Sequence, residues 1–435
     1  TRAAVAASAA TAWVLASAAT SAPAASANVS PAFAAAGCPD SVKAVATCHS
    51  TRDSNGAWIW VAIPRQWNST LIVHAHGGPS LNAPEIGEAI EDMQRFDVFV
   101  RNGYAWVSST YRRGGYGVRM AASDVDQSRK LFRQAFGKPR RTVLHGQSYG
   151  GNVAAKVAEL YALDVQGAPN YDGVMLTSGV LAGGTRAYGF RADLRAVYQY
   201  YCRNLPSSDE PSYPVWQGLP ADSTLTRPRI QQRVAACTGV DLEPAQRNPE
   251  QTRRLRNIVS VTGIPEKQLL AHMSWATLMF RDLVQERLNG LNPFDNAHRT
   301  YQGSDDDAAL NAGVERFTAD PRAVAKLAYD ADLTGLIVLP TVTMHALHDP
   351  TIPFSVEADY ARVVAAAGRS NLLVQTATDE HGHSKLAETQ YLALLSALND
   401  WIETGRRPSA GDIATTCRRL EATSPGGCRF VSSPP

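Results

Sequence analysis

A serine flanked by two glycines is the best-placed nucleophile in this chain. Ser148 lies in the stretch Gly146-Gln147-Ser148-Tyr149-Gly150. The apolar run 141–145 before it is typical of a buried strand, and residues 151–160 after it are typical of a helix. A strand, a sharp turn and a helix are the context of a nucleophile elbow, which lifts a serine hydroxyl above a sheet. The motif therefore predicts a nucleophilic serine, and the alternative is a glycine-rich turn with an exposed serine.

A nucleophilic serine needs an orienting acid and a base, which follow it along the chain in that order in this architecture. The apolar run 336–346 predicts a long strand. Asp349 comes just after it, and Pro350 and Pro353 prevent the strand from continuing. We therefore predict that Asp349 is the acid. The alternative is an Asp-Pro turn without a chemical role.

Two histidines compete for the role of base. A strand predicted over residues 371–377 leads into His381-Gly382-His383-Ser384. We predict a helix over residues 385–403 with Ser384 as its N-cap, which would anchor the backbone of His383. His381 would lie further out on a flexible loop. We therefore predict that His383 is the base and keep His381 as the alternative.

A glycine-rich loop is the predicted source of donors for an oxyanion. A strand predicted over residues 69–75 is followed by His76-Gly77-Gly78-Pro79. Because glycine has no Cβ, its backbone N–H can approach a substrate oxygen closely. We predict that Gly77 or Gly78 supplies one N–H donor and that Tyr149 supplies the other.

Strands and helices alternate in the first part of the chain. Strands are predicted over residues 57–63, 69–75, 104–109, 141–145 and 172–177, and helices over residues 85–100 and 118–136. This alternation predicts an α/β fold with a mostly parallel central sheet flanked by helices. Residues 28–55 are predicted to be irregular.

The pattern changes after residue 181. Helices are predicted over residues 191–202, 226–237, 250–258, 266–290 and 306–315, without a clean strand before residue 336. We interpret residues 182–332 as a helical cap inserted into a catalytic domain formed by residues 28–181 and 333–435. Such a cap would shape access to the serine. Its Trp216, Trp275 and Met279 are predicted to line a substrate pocket, and the alternative is that they form the cap's own core.

Together these motifs resemble the α/β-hydrolase superfamily. The resemblance covers roughly residues 56–181 and 333–405. It rests on His76-Gly77-Gly78-Pro79, Gly146-Gln147-Ser148-Tyr149-Gly150-Gly151, Asp349-Pro350 and Gly382-His383. The chain is most similar to secreted bacterial serine esterases of the tannase-like type, which have a Trp-Asn element before the first catalytic strand, here Trp67-Asn68. Residues 103–117 are also similar to part of the catalytic domain of prolyl-oligopeptidase-like enzymes.

The resemblance implies a serine ester hydrolase that works through an acyl-enzyme intermediate and needs no cofactor. Ser148, Asp349 and His383 would form its catalytic triad, and its substrate would be a small-molecule or polymeric ester. The main alternative is a serine peptidase of the prolyl-oligopeptidase or aminopeptidase type. Against an aminopeptidase, no acidic cluster that would hold a substrate amine is evident in the sequence. A third possibility is a non-catalytic binding protein with the hydrolase fold.

The composition is that of an ordinary globular protein. The chain has 435 residues, of which 44% are hydrophobic and 19% are charged, and its formal net charge is +2. Nothing in this balance favours nucleic acid as a partner. No run of about twenty apolar residues predicts a membrane span. No Cys/His cluster has the spacing of a zinc site, so we expect no metal.

The beginning of the chain and the cysteines both favour export. Residues 1–27 are rich in Ala and Ser and end in Ala25-Ser26-Ala27, which predicts a secretory leader. We therefore expect a secreted or periplasmic, bacterial protein, and the alternative is an Ala-rich disordered tail. Six cysteines fit an oxidising compartment. Of their possible pairings we predict the three local ones, Cys38–Cys48, Cys202–Cys237 and Cys417–Cys428.

Overall fold

The computed structural model describes residue 1, residues 32–422 and residues 426–431. The chain divides into two units, Thr1–Ser30 and Pro31–Pro435, and all described residues except Thr1 belong to the second. The leader predicted over residues 1–27 therefore lies, apart from its first residue, outside the described part of the chain.

In the described residues, nine strands form one sheet. They are β1 (Ala34–Ala36), β2 (Ala46–Arg52), β3 (Trp58–Pro64), β4 (Thr70–Ala75), β5 (Ala105–Ser109), β6 (Arg141–Gln147), β7 (Gly173–Thr177), β8 (Thr341–Ala346) and β9 (Leu373–Thr378). Their order is β1-β2-β3-β5-β4-β6-β7-β8-β9. The pairs β1–β2, β2–β3 and β3–β5 are antiparallel. The pairs β5–β4, β4–β6, β6–β7, β7–β8 and β8–β9 are parallel.

The central parallel strands are buried on both faces. Every residue of β4 and β8 is buried, because helices cover both sides of the sheet. One hydrophobic core lies on each face, and the core that contains Val153 of the elbow helix continues into the helices between β7 and β8. The predicted α/β fold with a mostly parallel sheet is confirmed, and it is the α/β-hydrolase fold that the resemblance implied.

Fourteen α-helices occur in the described residues. Those outside the predicted cap are α1 (Ile86–Arg95), α2 (Asp97–Arg101), α3 (Val118–Phe136), α4 (Tyr149–Leu160), α12 (Ser355–Ala366), α13 (Glu388–Thr404) and α14 (Ala410–Glu421). Those between β7 and β8 are α5 (Gly183–Ala187), α6 (Gly189–Cys202), α7 (Arg227–Thr238), α8 (Pro249–Thr262), α9 (Leu269–Arg281), α10 (Asp307–Gly313) and α11 (Pro321–Ala331). The segment that we interpret as a cap thus contains helices and no strand of the sheet in the described structure.

Several element boundaries differ from the sequence prediction. The segment predicted as irregular contains the edge strand β1 and its neighbour β2, whose mixed burial pattern is not that of a continuous apolar run. The strand predicted from residue 336 begins only at Thr341, and Leu336 and Val338 before it are exposed. The helix predicted over 266–290 passes at Asp282 into a π-helical turn, Asp282–Arg287. The helix predicted over 85–100 is interrupted at Phe96.

The six cysteines form three disulfides. Cys38 pairs with Cys48, Cys202 with Cys237 and Cys417 with Cys428, at Cα–Cα distances of 5.2, 5.8 and 5.7 Å. These distances are ordinary for disulfide bonds. The pairing in the structure is the local pairing predicted from the sequence.

Among the described helices, none combines the length and the apolar character that crossing a membrane requires.

Candidate active site

Ser148 lies at a sharp turn between β6 and α4. Its φ is 59° and its ψ is −126°, a conformation that a non-glycine residue adopts only when its surroundings enforce it. A Cβ on Gly146 would lie 2.6 Å from the Cβ of Ala154, and one on Gly150 would lie 2.6 Å from the carbonyl oxygen of His76. Only glycine fits at both positions, which gives the physical reason for the glycines of the motif.

Ser148, His383 and Asp349 meet at the carboxyl ends of three parallel strands. The Nε2 atom of His383 lies 2.9 Å from the Oγ of Ser148, and its Nδ1 lies 2.7 Å from the Oδ2 of Asp349. These are hydrogen-bond distances. Such an arrangement can move a proton from the hydroxyl to the imidazole while the carboxylate stabilises the imidazolium.

The two histidines of the 381–383 loop have different surroundings. His381 is exposed, and its ring stacks on that of His348 with 4.4 Å between centroids. The prediction that a helix starting at residue 385 anchors His383 was wrong, because α13 begins at Glu388 and its N-cap is Ala387. Ser384 instead accepts a hydrogen bond of 2.9 Å from the side-chain amide of Gln147. His383 is therefore held by side-chain hydrogen bonds across the site.

The carboxylate of Asp349 is fully buried and has four polar neighbours. Its Oδ1 accepts the backbone N–H groups of Thr351 at 2.8 Å and Ile352 at 3.0 Å. Its Oδ2 lies 3.3 Å from the Nε2 of His345 and also faces His383. Burial raises the pKa of Asp349, but the hydrogen bonds from His345 and His383 outweigh burial, so this pKa lies below its usual value. The acid is therefore held ionised.

His345 is buried between two carboxylates. Its Nδ1 lies 3.5 Å from Glu357 on the side opposite Asp349. Burial lowers the pKa of His345, but the two carboxylates raise it more, to about 9. His345 was not predicted, because a single histidine within the apolar run 336–346 gives no local signal.

The predicted oxyanion donors lie around Ser148. In the described part of the chain, the backbone N–H groups of Tyr149, Gly77 and Gly78 donate no hydrogen bond. The Cα of Gly77 packs against the elbow, since a Cβ there would lie 3.6 Å from the Cβ of Ser148. The loop is held in place by His76, whose Nδ1 lies 2.5 Å from the buried carboxylate of Asp92.

The triad opens into a cavity of about 240 Å³. It is lined by Gly77, Gly78, Pro79, Arg95, Gln147, Ser148, Tyr149, Val180, Tyr188, Arg191, Trp275, Thr351, Ile352, His383 and Ser384. Of the three predicted pocket residues, Trp275 lines the cavity. Trp216 and Met279 do not line it, because their side chains pack in the hydrophobic core of the helical segment. Among the described residues, no group of three or more His, Cys, Asp or Glu side chains is arranged to hold a metal ion.

Gln147 and Arg191 line the cavity and were not predicted from the sequence. The amide nitrogen of Gln147 lies 3.3 Å from the Nε2 of His383. Gln147 occupies the variable position of the elbow motif, so the motif itself carried no signal for it. Arg191 lies on α6 together with Arg195, and nothing in the sequence distinguishes one of these two arginines from the other.

No protein-family model and no curated protein matches this chain. Similar solved structures include lipase A of Candida antarctica, with 13% sequence identity and a TM-score of 0.45, covering 92% of this chain and 93% of the lipase. An esterase of Aspergillus oryzae has 14% identity and a TM-score of 0.44, covering 83% of this chain and 81% of its own. The rice cell wall degrading esterase LipA of Xanthomonas oryzae has 16% identity and a TM-score of 0.40, covering 82% of this chain and 89% of its own.

These similarities are remote, and our assignment of the fold rests on the strand order and the elbow.

Proposed function

We propose that this protein is a serine hydrolase that cleaves carboxylic esters through an acyl-enzyme intermediate. The observation that carries the proposal is the continuous hydrogen-bonded chain from Ser148 through His383 to Asp349, at 2.9 and 2.7 Å. A hydroxyl, an imidazole and a buried carboxylate in this order define a nucleophile, its base and the group that orients the base.

In the first half of the reaction, the Oγ of Ser148 attacks the ester carbonyl carbon and its proton passes to the Nε2 of His383. The N–H groups of Tyr149 and of Gly77 or Gly78 stabilise the oxyanion, and removing one such donor costs about a hundredfold or more in rate. The intermediate then collapses, and the alcohol leaves with the proton from His383. Water, deprotonated by the same imidazole, hydrolyses the acyl-enzyme and releases the acid.

The lining of the cavity favours esters over aminoacyl substrates. An aminopeptidase needs a carboxylate to hold the substrate amine, and none of the described lining residues is Asp or Glu. The ring of Trp275 stacks on that of Tyr188 with 4.7 Å between centroids, which gives the cavity an aromatic wall. We therefore propose that esters with a bulky or aromatic portion are preferred, and that residues 182–332 act as a cap that shapes access.

We also propose that the protein is exported after removal of a leader within residues 1–27. Three disulfides support this, because such bonds persist mainly in oxidising compartments.

The test is a Ser148→Ala variant, with Ser370→Ala on the exposed surface as the matched control. The wild type and the control should react with a fluorophosphonate and hydrolyse 4-nitrophenyl esters, and Ser148→Ala should do neither while remaining folded. Aminoacyl nitroanilides should be cleaved slower by orders of magnitude. Rapid anilide cleavage with weak ester turnover would identify a peptidase. Absence of labelling in the wild type would identify a binding protein.

A further inference from the structure

One arginine lines the candidate catalytic cavity while being almost fully buried. Arg191, on the first turn of α6, exposes only 3% of its surface and shares the 240 Å³ cavity with Ser148. A buried charge is costly unless it is paired and hydrogen-bonded. The partners of this guanidinium therefore decide whether it is satisfied within the protein.

All contacts of the Arg191 guanidinium are with neutral groups. Its Nε donates to the Nδ1 of His272 at 3.2 Å, and its Nη2 donates to the carbonyl oxygen of Thr351 at 3.3 Å. Its central carbon lies 4.2 Å from the centroid of the Trp275 ring. Among the described residues, Arg191 forms no ion pair with a carboxylate and its Nη1 donates no hydrogen bond.

Two other buried arginines show how this protein satisfies a guanidinium when no ligand is needed. Arg129 forms an ion pair of 2.8 Å with Asp126. Arg195, one turn after Arg191, uses all three nitrogens, since its Nη1 bonds Thr277 and its Nε and Nη2 bond three carbonyl oxygens. Arg195 does not line the catalytic cavity. Arg191 differs from both because it keeps a free donor and lines the cavity.

Among the described residues, none of the remaining charges around the cavity forms an ion pair with Arg191, although the charge of Asp349 acts on it at a distance. Arg95 also lines the cavity, and it is paired with Glu91 at 2.5 Å. The nearest catalytic carboxylate, Asp349, is enclosed behind His383 and hydrogen-bonded on both oxygens. A positive charge that is withdrawn from the surface attracts an anion more strongly than an exposed one, because the surrounding protein screens it less than water does.

We propose that the substrate is an ester that carries a carboxylate, and that the guanidinium of Arg191 binds this carboxylate while Ser148 attacks the ester. This inference rests on the proposed hydrolase function. Arg191 and Ser148 line the same cavity of about 240 Å³, so the carboxylate and the ester are groups of one substrate that binds there. Hydrolysis consumes one water and releases an acid and an alcohol, one of which bears the original carboxylate.

The test compares matched acidic and neutral esters. On the acyl side, the pair is the 4-nitrophenyl monoesters of adipic acid and of adipamic acid, in which a neutral amide replaces the carboxylate. On the alcohol side, the pair is 3-acetoxybutanoate and 3-acetoxybutanamide. In at least one pair, the wild type should have a kcat/KM about tenfold or more higher for the acidic ester, and the pair that shows this identifies which side carries the carboxylate.

The variant is Arg191→Gln. The control is Arg186→Gln, which changes an exposed side chain on α5. Arg191→Gln should abolish the preference for the acidic ester, mainly through KM, and Arg186→Gln should retain it. An equal decrease in kcat for the acidic and the neutral ester would overturn the proposal. It would mean that Arg191 only holds the loop of Thr351 in place.

A second measurement needs only the wild type. Adipate should inhibit hydrolysis of a neutral ester about tenfold more strongly than adipamide does, even if Arg191→Gln does not fold. If the protein hydrolysed neutral esters but neither preferred acidic esters nor was inhibited by adipate, this inference alone would be overturned. Absence of both hydrolysis and fluorophosphonate labelling would overturn the proposed function as well.

Discussion

His345 lies directly behind Asp349, with its Nε2 3.3 Å from the same carboxylate oxygen that receives the hydrogen bond from His383. The same Nε2 also faces the carbonyl oxygen of Ile352 at 3.1 Å. One carboxylate oxygen thus stands between two imidazoles, of which one faces Ser148 and the other is enclosed. The proposed triad therefore continues into the core as a row of alternating acidic and basic groups that ends at Glu357.

The charge of the row depends on His345. The innermost carboxylate of the row, that of Glu357, accepts hydrogen bonds of 2.6 Å from Thr343 and from Gln375. With His345 protonated, one cation lies between two buried anions and offsets most of their repulsion. Without that proton, Asp349 and Glu357 would be two buried carboxylates with an excess of negative charge. His345 is therefore a positioning residue that sets the electrostatic environment of the acid.

Replacing His345 by Gln should change how activity depends on pH. His345 carries its charge only below about pH 9, so the substitution removes a pH-dependent cation from beside Asp349. We expect kcat to fall about tenfold and the acid limb of the pH–rate profile to move. The profile of kcat/KM for a nitrophenyl ester measures this shift.

The control for this variant is His348→Gln, which changes an exposed ring two residues past β8. It should leave the profile in place. A His345→Gln profile with a lower maximum and an unmoved acid limb would limit His345 to a packing role.

The stability of the protein should decrease in alkaline solution through the same histidine. The pKa of His345 is raised from 6.5 to about 9 in the folded state. The folded state therefore holds a proton that the unfolded state releases at lower pH. This contribution is complete below pH 6.5 and is lost as the pH rises through about 9. Urea unfolding should show that the free energy of unfolding of the wild type decreases from about pH 6 to about pH 9.5. The decrease should be smaller in His345→Gln than in the wild type. An identical decrease in both proteins would assign the pH dependence to other groups.

Alanine substitutions at the two loop histidines should have very different effects. His383→Ala removes the imidazole in contact with Ser148 and should lower kcat by about 10⁴-fold or more. His381→Ala removes an exposed ring and should cost no more than about tenfold, which is about 1.4 kcal/mol of barrier. Steady-state kinetics on one ester suffices. If His381→Ala were the inactive variant, the base would have to be reassigned, while the hydrolase proposal would stand.

Gly77→Ala should impair the reaction and leave the fold intact. The added Cβ would lie 2.7 Å from the side-chain oxygen of Gln147, so the loop must move and its N–H donors with it. Loss of one oxyanion donor predicts a decrease of about a hundredfold in kcat with little change in KM. Gly87→Ala in α1 is the matched control, because its Cβ would meet no atom within 4 Å. Wild-type kcat in both variants would remove Gly77 from the proposed oxyanion hole.

The disulfides should differ in their contributions to stability according to the length of chain that each encloses. The loops span 35 residues for Cys202–Cys237 and 10 residues for Cys38–Cys48. Loss of loop-closure entropy in the unfolded chain predicts about 4 kcal/mol for the first and about 3 kcal/mol for the second. Denaturant unfolding of the two double alanine variants measures both. Peptide mapping without reductant should recover the three local pairs, and free thiols would contradict the pairing.

The parts of the fold that were predictable are those with a strong local signal. The run 69–75 predicted β4 because a parallel strand that is buried on both faces must be continuously apolar. The elbow was predictable because nearby atoms of the same chain leave no room for a Cβ at Gly146 or Gly150. β2 was missed, since only three of its seven residues, Ala46, Cys48 and Thr51, are buried and it lacks the apolar run of a strand that is covered on both faces.

The charged groups behind and beside the triad could not be predicted from the sequence. His345 and Arg191 owe their roles to neighbours that are distant along the chain, namely Glu357 for the first and His272 with Thr351 for the second. Local patterns report which face of an element is buried and not which charge will face it. The start of the helix after His383 was predicted wrongly for a related reason. Ser384 accepts a hydrogen bond from Gln147 across the site and does not cap that helix.

The helical segment that separates β7 from β8 along the chain has a consequence for the order in which the site is assembled. Val174 pairs with Thr341, so two adjacent strands are joined only after all the intervening chain has been made. Loop closure over such a distance is entropically costly, and folds with many distant contacts form slowly. Ser148 emerges from the ribosome before the helical segment, and Asp349 and His383 emerge after it. The proposed proton-transfer chain from Ser148 through His383 to Asp349 is therefore incomplete until the helical segment and both later strands have been made.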